Sequence, residues 1–114
     1  MSDDCLFCKI VAGEIPGDIV HTTDRTVAFR DIAPGAPTHV LVVPRDHHAD
    51  LAALVAADPG LAGEVFAAAA DVARQEGLSG GYRVVVNTGA DAGQSVFHLH
   101  VHVLGGRGLG WPPG

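Results

Sequence analysis

The sequence predicts an α+β fold, a largely antiparallel sheet carrying one longer helix and one or two short ones. Three observations predict it. Several short β-branched apolar runs are bounded by turn residues, and only one segment sustains helical spacing for more than three turns. The connections between runs are short, which favours antiparallel pairing.

The elements follow in order. Leu6 to Val11 is a short apolar stretch, read as a one- or two-turn helix stopped by Gly13 and Pro16. Strands are expected at Ile19 to Thr22 and Thr26 to Phe29, joined by a turn at Thr23-Asp24-Arg25. Two prolines and a glycine make Asp31 to Pro37 a loop, and His39 to Pro44 is a β-branched run closed by proline. Asp50 can cap a short turn reaching Leu54. Asp58-Pro59 opens the longer helix, because the carboxylate accepts orphan N–H bonds and proline fits the first turn. Leu61, Val65, Ala68, Ala69 and Val72 then repeat at helical spacing until Gly77 and Leu78 stop it. The alanines make that face flat, suited to lying close on a sheet. Tyr82 to Val86 is the next strand, Asn87 to Ser95 a Gly-rich loop, Phe97 to Leu104 the last strand, and Gly105 to Gly114 an irregular tail.

The 114 residues, 47% of them apolar, suit one domain spanning 1–114. A domain this small buries less of its surface than a larger one, which leaves extension of the sheet across a dimer open. Net charge is −6, and the seven Lys and Arg are scattered singly. The basic patch that polymeric nucleic acid requires is therefore missing, although a single nucleotide can still be held by backbone N–H groups and imidazoles. The acidic start, Met1-Ser-Asp-Asp, is unlike a signal peptide, and no apolar run approaches a membrane span, so a cytoplasmic location is expected. In such a chain Cys5-x-x-Cys8 points to metal or redox chemistry more than to a structural disulfide.

The richest segment is Phe97-His98-Leu99-His100-Val101-His102-Val103-Leu104. Alternation along a strand places the three histidines in a row on one face and the apolar residues on the other. Three imidazoles in a row suit core packing poorly, because each has two ring nitrogens needing partners. Solvated histidines on an open face explain the patterning less well than either a metal site or an acid–base and nucleophile array. Histidine serves both, being about three quarters neutral at pH 7.

His-x-His-x-His followed by two apolar residues resembles the signature of the histidine triad proteins. Phe29-Arg-Asp31-Ile32-Ala-Pro34-Gly-Ala36-Pro37-Thr38-His39, Asn87-Thr-Gly89-Ala-Asp91-Ala-Gly93-Gln94-Ser95 and Leu104-Gly-Gly-Arg107 with Trp111-Pro-Pro-Gly are similar to the histidine triad nucleotide-binding (Hint) branch. The likeness runs from Phe7 to Gly114. It implies a five-stranded antiparallel sheet continued across a homodimer, and hydrolysis of purine nucleoside phosphoramidates through a nucleotidyl-histidine. The middle histidine, His100, would then be the nucleophile, with His102, His39 and Ser95 assisting. Asn87, Gly93 and Gln94 would lie by the phosphate, Asp31 by the ribose, and Phe7, Ile10, Phe29 and Ile32 around the base. The tail would reach towards the partner's site.

The cysteine pair sets the chain apart from metal-free members of the branch. Carried over from relatives that bind a structural zinc, the ligands would be Cys5, Cys8, His47 (in preference to its neighbour His48) and His98. A closed four-ligand site leaves no open position for catalysis, which weighs against a metal-dependent hydrolase. Dinucleoside polyphosphate hydrolysis and a non-catalytic nucleotide-binding module remain as alternatives. The Gly93-Gln94-Ser95 stretch and the tail favour the phosphoramidate reading, and an intact His100 argues against pure binding.

Overall fold

The computed structural model describes residues 4–114; Met1 to Asp3, most of the acidic start, lie outside the described residues. Its elements are α1 (Leu6–Val11), β1 (Ile19–Thr22), β2 (Thr26–Arg30), β3 (Thr38–Pro44), α2 (Leu51–Ala57), α3 (Pro59–Gln75), β4 (Tyr82–Val85) and β5 (Val101–Gly105), with a 3-10 turn at Ala90–Ala92. The strands form one antiparallel sheet in the order β1-β2-β3-β5-β4.

Alternation along β3 decides what each face of the sheet carries. Val40 and Val42 point to one side, joining Ala28, Val101 and Val103 under Leu61, Val65, Ala68, Ala69 and Val72 of α3. Leu41 and Val43 point to the other, joining Val27 and Phe29 under Phe7, Cys8 and Ile10 of α1. A strand buried on both faces reads as the unbroken apolar run seen in the sequence. The alanines of α3 let the helix lie close to the sheet. Val65 is wholly buried there, so Val65→Ala should cost about 2 kcal/mol, or roughly 8 °C in Tm by calorimetry.

The helix ends follow from their caps. Asp50 accepts from Ala53 N at 2.9 Å and Asp58 from Leu61 N at 3.1 Å. Pro59 occupies the first turn of α3, where its missing N–H costs nothing. At the other end Gly77 takes φ +72°, and Leu78 N donates to Ala73 O at 3.0 Å.

Two expectations need correction. The last strand begins at Val101, four residues later than the alternation suggested. Leu99 N donates to His48 O at 2.7 Å, away from the sheet, and the His98 side chain is wholly buried against Pro44. His98 and His100 therefore precede the strand, and the regular row of three histidines on one pleated face is not what forms. The loop 87–95 is also less open than expected, since it contains the 3-10 turn. Smaller differences fall at element ends: β2 and β3 each gain a residue, β4 stops at Val85, and α2 continues past Leu54 to Ala57. No helix among the described residues is long and apolar enough to cross a membrane.

Candidate active site and metal centre

Two clusters of side chains form on the α1 face of the sheet. The first gathers Cys5, which caps α1, Cys8 within that helix, His47 from the β3–α2 connection and His98, with ligand atoms all within 4.8 Å of one another. Cys5 Sγ lies 3.3 Å from His98 Nδ1, Cys8 Sγ 3.4 Å from it and 3.3 Å from His47 Nδ1, and the two Nδ1 atoms are 3.2 Å apart. A tetrahedron built with zinc bond lengths has edges of about 3.3 Å between nitrogens and about 3.6 Å between sulfur and nitrogen. The donor set fits such an ion. His98 Nε2 donates to Pro44 O at 2.8 Å, which puts the ring proton there and leaves Nδ1 as a lone pair facing the sulfurs. Burial holds His98 down to about 4, so it is neutral and able to ligate at pH 7. Burial, and then the neighbouring Cys5, push the Cys8 thiol up to about 11. A metal must displace that proton to bind.

The second cluster is a chain of imidazoles whose tautomers follow from their partners. Gly35 N donates to His39 Nδ1 at 2.9 Å, so His39 carries its proton on Nε2. That Nε2 lies 2.9 Å from His102 Nδ1 and 3.5 Å from Asp31 Oδ2. His102 Nδ1 must accept, which leaves its own proton on Nε2. Among the described residues, that Nε2 is buried without a hydrogen-bond partner. His100 Nδ1 donates to the carbonyl of His98 at 2.8 Å, so its Nε2 is left with a free lone pair. The Phe7 ring stands edge-on to His100, centroids 5.0 Å apart, and His102 lies 5.0 Å away on the other side.

Burial pushes His102 down to about 4, and repulsion from His100 and His39 adds to this. Protonation is thus easier in the unfolded chain, near its ordinary value of about 6.5, than in the folded one. Stability contributed by neutral His102 is complete above pH 6.5 and is lost as pH falls through 4. Denaturant titrations should show this decline between those values, and a shallower one in His102→Gln.

A cavity of 580 Å³ joins most of the residues singled out from sequence. Phe7, Ile10 and Phe29 wall it, Asp31 and Ile32 sit at its edge, and His100, His102, Asn87, Gly93 and Ser95 close one end. Ile32 is fully exposed, offering at most one open wall. Asp31 Oδ1 accepts from Ala33 N at 2.9 Å, which fixes the carboxylate. His39 does not line the cavity; it acts on it through His102. Gln94 turns away: Nε2 donates to Ala49 O and Val96 O, and Oε1 accepts from Gly89 N. Its side chain braces the loop, with both amide N–H groups spent on backbone carbonyls. Gly93 takes φ +95°, a conformation that glycine adopts without strain. Sequence reasoning missed Leu41, Pro16 and Gly17 as cavity walls. Leu41 was findable, since it lies two residues from His39 on the same face of β3. Gly17 was not: a Cβ there would stand 2.9 Å from Ile10 Cγ2, a closeness that only the folded chain reveals.

An α+β sheet with a histidine-lined cavity beside a Cys2His2 cluster defines a class, and the chain belongs to it: it is a member of the HIT domain family, whose model matches residues 12–109. It is 47% identical to the 14 kDa zinc-binding protein of Zea mays over 111 residues, covering 96% of this chain and 87% of that one. Its fold is similar to that of a HIT family hydrolase from Legionella pneumophila (TM-score 0.93, 46% identity, 97% of this chain and 100% of the other). It is also similar to a histidine triad nucleotide-binding protein from Candida albicans (TM-score 0.83, 33% identity, 96% and 83%).

Proposed function

We propose that this chain hydrolyses the P–N bond of purine nucleoside phosphoramidates. The observation that carries this reading is a complementary pair at one cavity: a lone pair left on His100 Nε2 and, on the neighbouring lining residue His102, a buried Nε2–H with no partner among the described residues. A nucleophile beside a donor suits a phosphorus centre carrying anionic oxygens.

With the base against Phe7, Ile10 and Phe29 and the ribose by Asp31, the α-phosphorus reaches His100. Nε2 attacks, an Nε2–P bond forms, and the P–N bond breaks with its electron pair leaving on nitrogen. The departing amine takes one proton from water at the Ser95 hydroxyl. His102 Nε2–H bonds a phosphate oxygen throughout, and the His98 carbonyl steadies the charge that develops on the His100 ring. The hydroxide left by that water then attacks the nucleotidyl-histidine, the Nε2–P bond breaks, and nucleoside monophosphate and neutral His100 are released. The sum is phosphoramidate plus water giving monophosphate plus amine.

The same reading assigns zinc to Cys5, Cys8, His47 and His98, supported by the tetrahedral spacing and by the relative named as zinc-binding. Zinc would serve as a cross-link and take no part in the steps above. A homodimer completes the proposal: strands β1 and β4 are open sheet edges, and Tyr82 and Val84 of β4 are exposed. Chromatographic assay of adenosine 5′-phosphoramidate should show AMP and ammonia released in equal amounts. AMP binding with intact substrate after prolonged incubation would overturn the hydrolase reading.

A further inference from the structure

The Cys5-x-x-Cys8 spacing points to metal or redox chemistry, and zinc binding uses only the first of these. Both cysteines are free thiols, their sulfurs lie within 4.8 Å of each other, and Cys8 N donates to Cys5 Sγ at 3.3 Å. Access separates the two. Cys5 and His47 line a second cavity, of 530 Å³, together with Ala49 and the exposed Leu6 and Phe97. Cys8 does not line it and is buried with Phe7, Phe29 and Val43.

Resting on the zinc assignment but not on the phosphoramidate reading, we propose that this cavity admits hydrogen peroxide to Cys5, and that Cys5 and Cys8 then close a disulfide that excludes zinc. Cys5 Sγ attacks one peroxide oxygen: an S–O bond forms, the O–O bond breaks, and the departing hydroxide takes the thiol proton as water. Cys8 Sγ attacks the sulfenic sulfur: the S–S bond forms, the S–O bond breaks, and that hydroxide leaves with the Cys8 proton as a second water. Two thiols are oxidised and one peroxide is reduced. Where zinc holds the two thiolates, both protons come from solvent and the ion is released, because sulfurs joined to each other no longer serve as thiolate ligands. The change reaches the first cavity through Phe7, which stands between the cysteines in sequence and edge-on to His100, centroids 5.0 Å apart.

The test treats the zinc-loaded chain with hydrogen peroxide and follows zinc with a chromogenic chelator, the disulfide by mass spectrometry and AMP affinity by titration. About one zinc should leave per Cys5–Cys8 disulfide formed. AMP affinity should fall about tenfold, and dithiothreitol with added zinc should restore it. In Cys8→Ser a dimedone-reactive sulfenic acid should accumulate at Cys5, whereas labelling of Cys8 in Cys5→Ser should be about tenfold slower. Each variant lacks one metal ligand, so the contrast between them reads access to the remaining sulfur. Equal labelling in the two, or zinc retained with both thiols still reduced after peroxide, would overturn the proposal. Unchanged AMP affinity in fully oxidised protein would overturn the link through Phe7. A disulfide formed in a chain that never binds zinc would uphold the dithiol chemistry and overturn the zinc assignment alone.

Discussion

Replacing His100 by alanine should reduce AMP release from adenosine 5′-phosphoramidate by about 10⁴-fold or more, the scale expected when a covalent route is removed. The reason lies in hydrogen bonding as much as in residue type. The His98 carbonyl can only accept, so it fixes the proton on His100 Nδ1 and keeps Nε2 basic towards the cavity. Neither neighbouring triad histidine offers a second lone pair to that space: His102 carries its proton on Nε2, and His98 points its free nitrogen at the two sulfurs. AMP affinity should change by no more than about threefold, because Ile10 and Phe29 still wall the cavity proposed for the base. His102→Ala, which removes one donor to the phosphate, should cost about 10²-fold. Steady-state assays with equilibrium AMP binding on the same preparations separate these effects. A His100→Ala protein retaining more than a tenth of wild-type turnover would exclude a histidine-bound intermediate.

Removing the metal should be nearly as damaging to stability as removing His100 is to turnover. In Cys8→Ser, bound zinc should fall from about one per chain to none, and Tm should drop by roughly 15 °C. This corresponds to about 4 kcal/mol, the stabilisation given by a ligand at a thousand times its dissociation constant. The four ligands tie together three segments: the start of α1, the β3–α2 connection and the residues preceding β5. Without a cation, two buried thiols and two ring nitrogens crowd together at 3.2–3.4 Å with no metal bond to hold them. Metal binding must expel thiol protons, so affinity should rise with pH and zinc should be lost on acidification. Because Phe7 sits between the two cysteines and against His100, the KM for nucleotide substrate should rise as well. Metal analysis with thermal unfolding checks the first part; a chelated protein with unchanged Tm would show that the cluster does not hold the fold.

Local chemistry was readable from the sequence wherever one residue dictates one conformation. Asp58-Pro59 opened α3 and Gly77 ended it, because a cap, a fixed φ and a positive φ act within a few residues. The pattern failed where a distant partner outweighed alternation. From Phe97 to His100 the chain reads as strand, yet the His48 carbonyl captures Leu99 N and the cysteines face His98, forces that come from about 50 and 90 residues away. The Cys5-x-x-Cys8 spacing pointed to metal, the family resemblance supplied His47 and His98, and the folded chain brings all four ligand atoms together. The tautomers were invisible beforehand, since each depends on a backbone group, Gly35 N or the carbonyls of Pro44 and His98, whose position only the fold supplies. Gln94 shows the same dependence on the fold: its three internal hydrogen bonds, which brace the loop, run to backbone groups that the sequence does not place.

The order of strands across the sheet bears on how the protein is born. β5 lies between β3 and β4, and β4 pairs with nothing else. During synthesis, then, β4 waits without a neighbour and β3 keeps a bare edge until residues 101–105 leave the ribosome. Sheet closure and delivery of His100 and His102 come with the same short stretch of chain. A nascent or prematurely released product lacks both together, so it is a sticky, open-edged substrate for chaperones and proteases and never a slow enzyme.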